Sequence, residues 1–341
     1  MKTLFLWYYF AMQIMQNPYP LLFAPIYKDY VCGGTRIPSL FARSGTPAVC
    51  AESWEISAHK DGMGVAENGE YAGMTLAELS SEFRESLLGT NCPDGKFPLL
   101  VKLIDARERL SVQVHPNDDS ALRCGGEAKT EMWYVMDAPP GAFVCAGLKD
   151  GVGPRIFTDH AKERRLTALL RSLPVESGTA VFIPGGLVHA IGENCLMFEV
   201  MQNSNTTYRV YDWDRVGADG KPRESHFRQA LEVIDWRAPE LGLQIPIPMP
   251  SQNPANKRER ILRCDFFTME KRNVNAAEIF KRDGRSFLTV FARKGSVKIA
   301  YGAGGACFTL PFGRSCLIPA SLRDFEISPA DGEATILTVE V

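Results

Sequence analysis

The chain has 341 residues, 45% hydrophobic and 23% charged, with a formal net charge of −2. That length suits one large or two ordinary domains, and the balance lacks the basic excess of a nucleic-acid binder. Nine cysteines are scattered at 32, 50, 92, 124, 145, 195, 264, 307 and 316 with no CxxC pair, which argues against a disulfide framework or a structural cysteine-zinc site and fits buried thiols in a reducing cytoplasm.

The opening MKTLFLWYYFAMQIMQN carries Lys2 and an apolar run too short to span a bilayer. No small-x-small cleavage pattern follows. Residues 1–17 are expected to be an N-terminal extension rather than a secretion signal, with Met12 and Met15 as alternative starts. A helix is predicted over 74–89, where Leu76, Leu79, Phe83 and Leu87 recur at helical spacing and Gly89 stops it. Two more are predicted over 224–236 and 275–282. Strands are predicted at 98–106, 110–115, 131–138, 142–148, 178–184, 195–203 and 207–213. Further short strands follow from residue 260. Many short strands between turn residues indicate a mainly β sandwich or barrel. IPIPMPSQNPANKRE (245–259) reads as a linker, separating a catalytic domain (18–244) from a C-terminal β domain (260–341).

An internal repeat accompanies that division. GTAVFIPGGLVHAI (178–191) is similar to GRSCLIPASLRDFEI (313–327). Aligning Pro184 with Pro319 sets His189 opposite Asp324, so two related β-barrels are expected, with only the first keeping its histidine and the second binding no metal.

Three stretches carry the chemistry. In LSVQVHPND, Gln113 and His115 stand two apart on a strand and share a face. Glu131 begins the strand EMWYVMDA. In GTAVFIPGGLVHAIGEN the spacing G-x5-P-x-G-x2-H matches the second motif of the cupin barrels and directs His189 into a barrel mouth. Two imidazoles, a carboxylate and an amide oxygen form a mixed set suited to zinc with an open position. Lys102 interrupts an apolar strand, which is costly unless its ammonium meets solvent or an anion. Lys129, Arg209 and Glu199 stand in comparable strand contexts, and the cations together would make an anion-receiving mouth. His59, His160 and His226 lack such a context and read as surface or structural. In ESWEIS, Trp54 reads as core and Glu55 as exposed.

With these motifs together, the sequence resembles the type I mannose-6-phosphate isomerases in their short bacterial form. The resemblance rests on YPLLFAPIYKDYVCGGTRI (19–37), ESWEIS, FPLLVKLIDARERLSVQVHPND (97–118), GEAKTEMWYVMDA (126–138), VFIPGGLVHAIG (181–192), QNSNTTYRVYDWDR (202–215) and GKPRESHFRQALEVIDW (220–236). It implies two cupin-like jelly-roll barrels and one zinc ion held by Gln113, His115, Glu131 and His189. It also implies active-site roles for Lys102, Lys129 and Arg209. Longer relatives insert a helical domain between the last two ligands, and 131–189 is too short for one. The implied reaction interconverts D-mannose 6-phosphate and D-fructose 6-phosphate through a zinc-stabilised enediolate. A cytoplasmic enzyme of carbohydrate metabolism follows, a monomer or weak homo-oligomer with no nucleic-acid or membrane partner. Relatives often carry aspartate four residues before the arginine, where this chain has Asn205. An amide cannot take a proton from carbon, so Glu199 becomes the candidate base. The alternatives are a non-catalytic sugar-phosphate-binding cupin and a cupin isomerase for another hexose phosphate.

Overall fold

The computed structural model describes residues 14–43, 45–217 and 220–341. The apolar run at the N-terminus and Met12 lie outside the described residues. Met15 is described; it is buried, and its backbone N–H donates to Ser86 Oγ at 3.0 Å. The chain is mainly β, 39% strand against 14% helix, and among the described residues no helix is long and apolar enough to cross a membrane.

The first half contributes β1 (Leu21–Leu22), β2 (Ile26–Lys28), β3 (Glu52–His59), β4 (Gly62–Met63), β5 (Leu99–Ala106), β6 (Val112–Val114) and β7 (Glu131–Asp137). It continues with β8 (Phe143–Leu148), β9 (Leu170–Pro174), β10 (Ala180–Ile183), β11 (His189–Ile191), β12 (Cys195–Gln202) and β13 (Tyr208–Tyr211). The second half adds β14 (Ile247–Met249), β15 (Lys257–Arg263), β16 (Thr268–Val274), β17 (Glu278–Lys281) and β18 (Leu288–Lys294). Its last strands are β19 (Val297–Tyr301), β20 (Ala306–Leu310), β21 (Ser315–Ile318), β22 (Asp324–Pro329) and β23 (Ala334–Glu340). The helices are α1 (Arg36–Phe41), α2 (Leu76–Leu88), α3 (Asp118–Cys124), α4 (Pro154–Lys162) and α5 (Phe227–Val233).

Strand order is used twice. One sheet of the first half runs β10-β7-β12-β5-β3-β2, and its counterpart in the second half runs β21-β18-β23-β16-β15-β14, with β1 added beside β21. The smaller sheets match too: β6-β11-β8-β9, extended by β13, against β17-β22-β19-β20. Within each half the two sheets share an apolar core. Between the halves, a third cluster joins Val101, Leu103 and Phe198 to Phe291, Leu337 and Val339. Because strand side chains alternate, β5 is buried on both faces. Val101 and Leu103 point toward the other half, while Lys102 on the opposite face points into the first half's interior.

Helix α2 forms where the 74–89 periodicity places it, with a Thr75/Glu78 capping box and a C-cap at Gly89. The expected helix at 224–236 is shorter, as α5. The expected helix at 275–282 is instead strand β17, paired with β22 from Glu278↔Ile327 to Lys281↔Asp324. Its burial alternates, with Glu278 and Phe280 inside and Ile279 and Lys281 outside. Pairing with β22 selects a period of two over the local helical propensity. The expected linker is partly strand as well. β14 pairs with β15 through Ile247↔Arg260, and Pro248 is tolerated because β14 lies at the sheet edge.

Candidate active site

The Gly185–Gly186 turn brings the two histidines together. A Cβ on Gly185 would lie 2.6 Å from Asn117 Cα and 2.7 Å from Pro116 O, so only glycine lets this turn rest on the chain that leaves His115. Gly186, at φ +92, donates its N–H to the His115 carbonyl at 2.7 Å. The Lys129 N–H donates to Pro116 O at 2.9 Å, and the Gly185 N–H donates to Thr130 Oγ1 at 3.1 Å. These bonds fix the segment before β7 against both histidine-bearing loops, and β11 pairs with β6 through His189↔Gln113.

His115, Glu131 and His189 are fully buried, and their ligand atoms lie within 4.8 Å of one another. The two imidazole Nε2 atoms are 3.1 Å apart, and Glu131 places one oxygen 3.4 Å from His115 Nε2 and the other 3.3 Å from His189 Nε2. His189 Nδ1 donates to Leu187 O at 2.8 Å, which fixes the tautomer and leaves a lone pair on Nε2. Burial, with the charge of Lys129 next, pushes His115 down to about 3. Burial also lowers His189. For Glu131, burial works toward protonation, but Lys129 and the imidazoles outweigh it and hold the carboxyl well below its ordinary range. Neutral imidazoles and an ionised carboxylate are the metal-binding forms. Neither Glu131 oxygen has a hydrogen-bond partner, which is costly for a buried charge and is what a divalent cation would relieve. Gln113 adds its amide 3.3 Å from His189 Nε2, and a half-turn of that amide exchanges its nitrogen for its oxygen. The residues therefore fit a metal.

A cavity of about 360 Å³ opens beside this group, lined by Gln113, Lys129, Lys102, Glu199, Glu52, Trp133, Asn205, Arg209 and Arg223 among others. Lys129 Nζ is 3.1 Å from Glu131 Oε2. Lys102 Nζ lies 2.7 Å from Glu199 Oε2 and 3.4 Å from Glu52 Oε2. Trp133 Nε1 donates to Glu199 Oε1 at 2.8 Å, and Trp54 Nε1 donates to Glu52 at 2.8 Å. Burial lowers Lys102, and its neighbouring carboxylates oppose that. Arg209 donates to Glu224 O at 3.0 Å, and its backbone exchanges hydrogen bonds with His226.

The structure thus brings all eight sequence-predicted residues to one place. It corrects Glu55, expected to be exposed: that carboxylate is buried and bound by Arg43 at 2.6 Å. The residue of ESWEIS that reaches the cavity is Glu52, whose signal was its two-residue offset from the core Trp54 on the same strand face. Arg223 was also missed. It arrives from irregular chain, where no periodicity exists to read. His59 is structural, buried with Nε2 3.0 Å from Glu127 Oε2.

A family profile described as phosphomannose isomerase type I, catalytic domain, matches residues 21–138. Mannose-6-phosphate isomerase ManA of Bacillus subtilis is 34% identical over 319 residues, covering 90% of this chain and 95% of that protein. The chain belongs to the type I mannose-6-phosphate isomerase family. The Streptococcus mutans mannose-6-phosphate isomerase is 32% identical over 326 residues, 93% of this chain and 97% of that protein. The crystal structure of the Bacillus subtilis isomerase superposes with a TM-score of 0.85 at 30% identity, covering 94% of this chain and 99% of that one. A structure of an Archaeoglobus fulgidus protein, titled a putative mannosephosphate isomerase, shares the fold at a TM-score of 0.75 and 22% identity. The 131–189 interval holds strands β7 to β10, the short helix α4 and one 3-10 turn at Leu166–Leu169, and no helical domain is inserted there.

Proposed function

We propose that this chain is a zinc-dependent mannose-6-phosphate isomerase of the cytoplasm, interconverting D-mannose 6-phosphate and D-fructose 6-phosphate. The observation that carries the reading is the buried His115–Glu131–His189 group beside a polar cavity that Gln113 and Lys129 line. Zinc held by Gln113, His115, Glu131 and His189 would supply Lewis-acid stabilisation for the negative charge that develops on O1 and O2.

The protein's own groups do the rest. Glu199, oriented by Trp133 and paired with Lys102, takes the proton from C2 and returns it to C1 of the enediolate. Lys129 donates to the sugar oxygens and moves the proton between them. Lys102 and Arg209 bind the substrate from the cavity wall. The repeated strand order supports two cupin-type barrels, the first (18–244) catalytic and the second (260–341) metal-free, and a monomer or weak homo-oligomer suffices because the site draws on one chain.

A coupled assay with mannose 6-phosphate, then glucose 6-phosphate, tests the reading. Metal-dependent turnover of the first and little of the second is expected. Binding without turnover would mark a sugar-phosphate-binding cupin, and preference for the second sugar would mark another hexose-phosphate isomerase.

A further inference from the structure

The cations around the cavity differ in how far they are already neutralised. Lys102 faces two carboxylates, Glu199 at 2.7 Å and Glu52 at 3.4 Å. Its charge is fully answered before any substrate arrives. At the arginines the imbalance is reversed. Arg209 lines the cavity with no carboxylate within ion-pair distance among the described residues; its Nη1 is bound to a backbone carbonyl, and its buried Nε has no partner. Arg223 lines the same cavity, and its Nε donates to Asp212 Oδ2 at 2.8 Å. Asp212 also binds Arg215 at 2.5 Å. One carboxylate is therefore shared by two guanidinium groups, while a third stands beside them with none. Arg215 has a further, longer contact to the half-exposed Glu108 at 3.5 Å.

We propose that Arg223, with Arg209, anchors the substrate's phosphoryl group, and that Lys102 does not. This rests on the sugar-phosphate reading above and assigns an orientation within it. A phosphoryl dianion would fill the positive excess at the arginines, whereas beside Lys102 it would meet Glu52 and Glu199. Guanidinium forks suit phosphate oxygens, and Asp212 holds the Arg223 fork in one orientation without cancelling both arginines. Arg209 pairs with Gln113 and Gln113 with His189 on the next strand, so a phosphoryl group at the arginines leaves C1 and C2 of the sugar for the side of the cavity toward His189, Lys129 and the Glu199 carboxylate.

The test uses the metal-loaded full chain with Arg223→Ala, Arg223→Lys and Lys102→Ala variants, each checked for folding by its melting curve. Arg223→Ala is expected to raise both KM for mannose 6-phosphate and Ki for inorganic phosphate at least tenfold, with kcat changed less than about threefold. Arg223→Lys keeps the charge without the fork and should recover part of the loss. Lys102→Ala should lower kcat and leave the phosphate Ki within about twofold, because the arginines still hold the anion. An unchanged phosphate Ki in Arg223→Ala, or a larger rise in Lys102→Ala, overturns the assignment while leaving isomerase activity intact. Should the wild type not isomerise mannose 6-phosphate, the functional reading fails; calorimetric titration with inorganic phosphate then decides the Arg223 assignment by the same tenfold criterion. If Arg223→Ala does not fold, Arg223→Lys alone carries the comparison, and a phosphate affinity equal to wild type counts against the fork.

Discussion

The two halves build one sheet order twice, and residue-by-residue register shows what separates a site from a scaffold. Ile183 pairs with Glu131 in the first half, and its repeat partner Ile318 pairs with Leu288 in the second. From that anchor, Lys102↔Glu199↔Trp133 corresponds to Glu270↔Thr338↔Val290. His189↔Gln113 corresponds to Asp324↔Lys281. Thus the positions of Gln113, Glu131 and His189 hold Lys281, Leu288 and Asp324. The second half keeps charges inside, but they cancel locally. Arg258 meets Glu270 at 2.7 Å, Arg272 meets Glu270 at 2.7 Å and Glu278 at 2.6 Å, and the Arg272 guanidinium lies over Phe280. In the first half the two Glu131 oxygens lack a hydrogen-bond partner and meet one cation, Lys129 at 3.1 Å, while the Nε2 atoms of both imidazoles converge on them. The frame is common; unspent ligand capacity is what makes the first half a site.

The largest expected break in that comparison is His189→Ala. Loss of one ligand from a buried set should lower kcat/KM about a thousandfold or more and take bound metal from near one per chain to near zero. Asp324→Ala, at the matching position, should change neither. Metal analysis of both purified variants decides it, and an equal metal loss in Asp324→Ala would mean that the second half also holds an ion. Next come Lys129→Ala and Glu199→Gln, each expected to cost about 10²–10⁴ in kcat with the metal retained. Full activity in either variant removes that residue from the proton path.

The second half should respond in stability instead. Glu270→Gln leaves Arg258 and Arg272 sharing no carboxylate between them, which should cost about 3 kcal/mol of unfolding free energy while the folded enzyme keeps its kcat. The pH dependence follows with a definite sign. Burial works to raise the Glu270 carboxyl, but Arg258 and Arg272 outweigh it, so the group sits below its ordinary 4.5. A depressed folded-state value means its stabilisation is present above 4.5 and lost as pH falls through the folded value. Denaturant titrations should show a shallower decline below pH 4.5 in Glu270→Gln than in wild type, and parallel curves above it.

Much of this was legible in the sequence because strands and glycine turns announce themselves locally. The alternation around Gln113 and His115, the spacing from Gly178 to His189, and Lys102 in an apolar strand each point inward by period alone. The repeat was legible too, since its turn prolines align at 184 and 319. What stayed hidden depends on partners distant in sequence. Segment 275–282 has helical composition but takes its conformation from β22. Glu55 looked exposed until Arg43 met it, and Arg223 enters the cavity from chain without periodicity. Which cation is already neutralised is likewise invisible before the fold pairs Lys102 with Glu199 and Glu52.

Asn205 sharpens the comparison at its smallest scale, because it lies at the cavity's edge with a charge removed. Its side-chain Nδ2 donates to Asp61 Oδ2 at 2.8 Å, and its backbone N–H donates to Glu127 Oε2 at 3.0 Å, so the residue meets one carboxylate through its side chain and another through its backbone. Hydrogen bonding from Asn205 is also the leading reason that the Asp61 carboxyl sits below its ordinary value. Asn205→Asp would replace that donor with a third negative group. Asp61 is half-exposed, and solvent screening should limit the penalty to a few-fold loss in kcat/KM. The paired variant Asp61→Asn with Asn205→Asp restores one donor and one acceptor across the contact and should recover most of the loss, a coupling that a double-mutant cycle reads directly. A tenfold or greater gain in kcat/KM from Asn205→Asp alone would give the opposite answer: a carboxylate at this position would then move the proton better than Glu199 does.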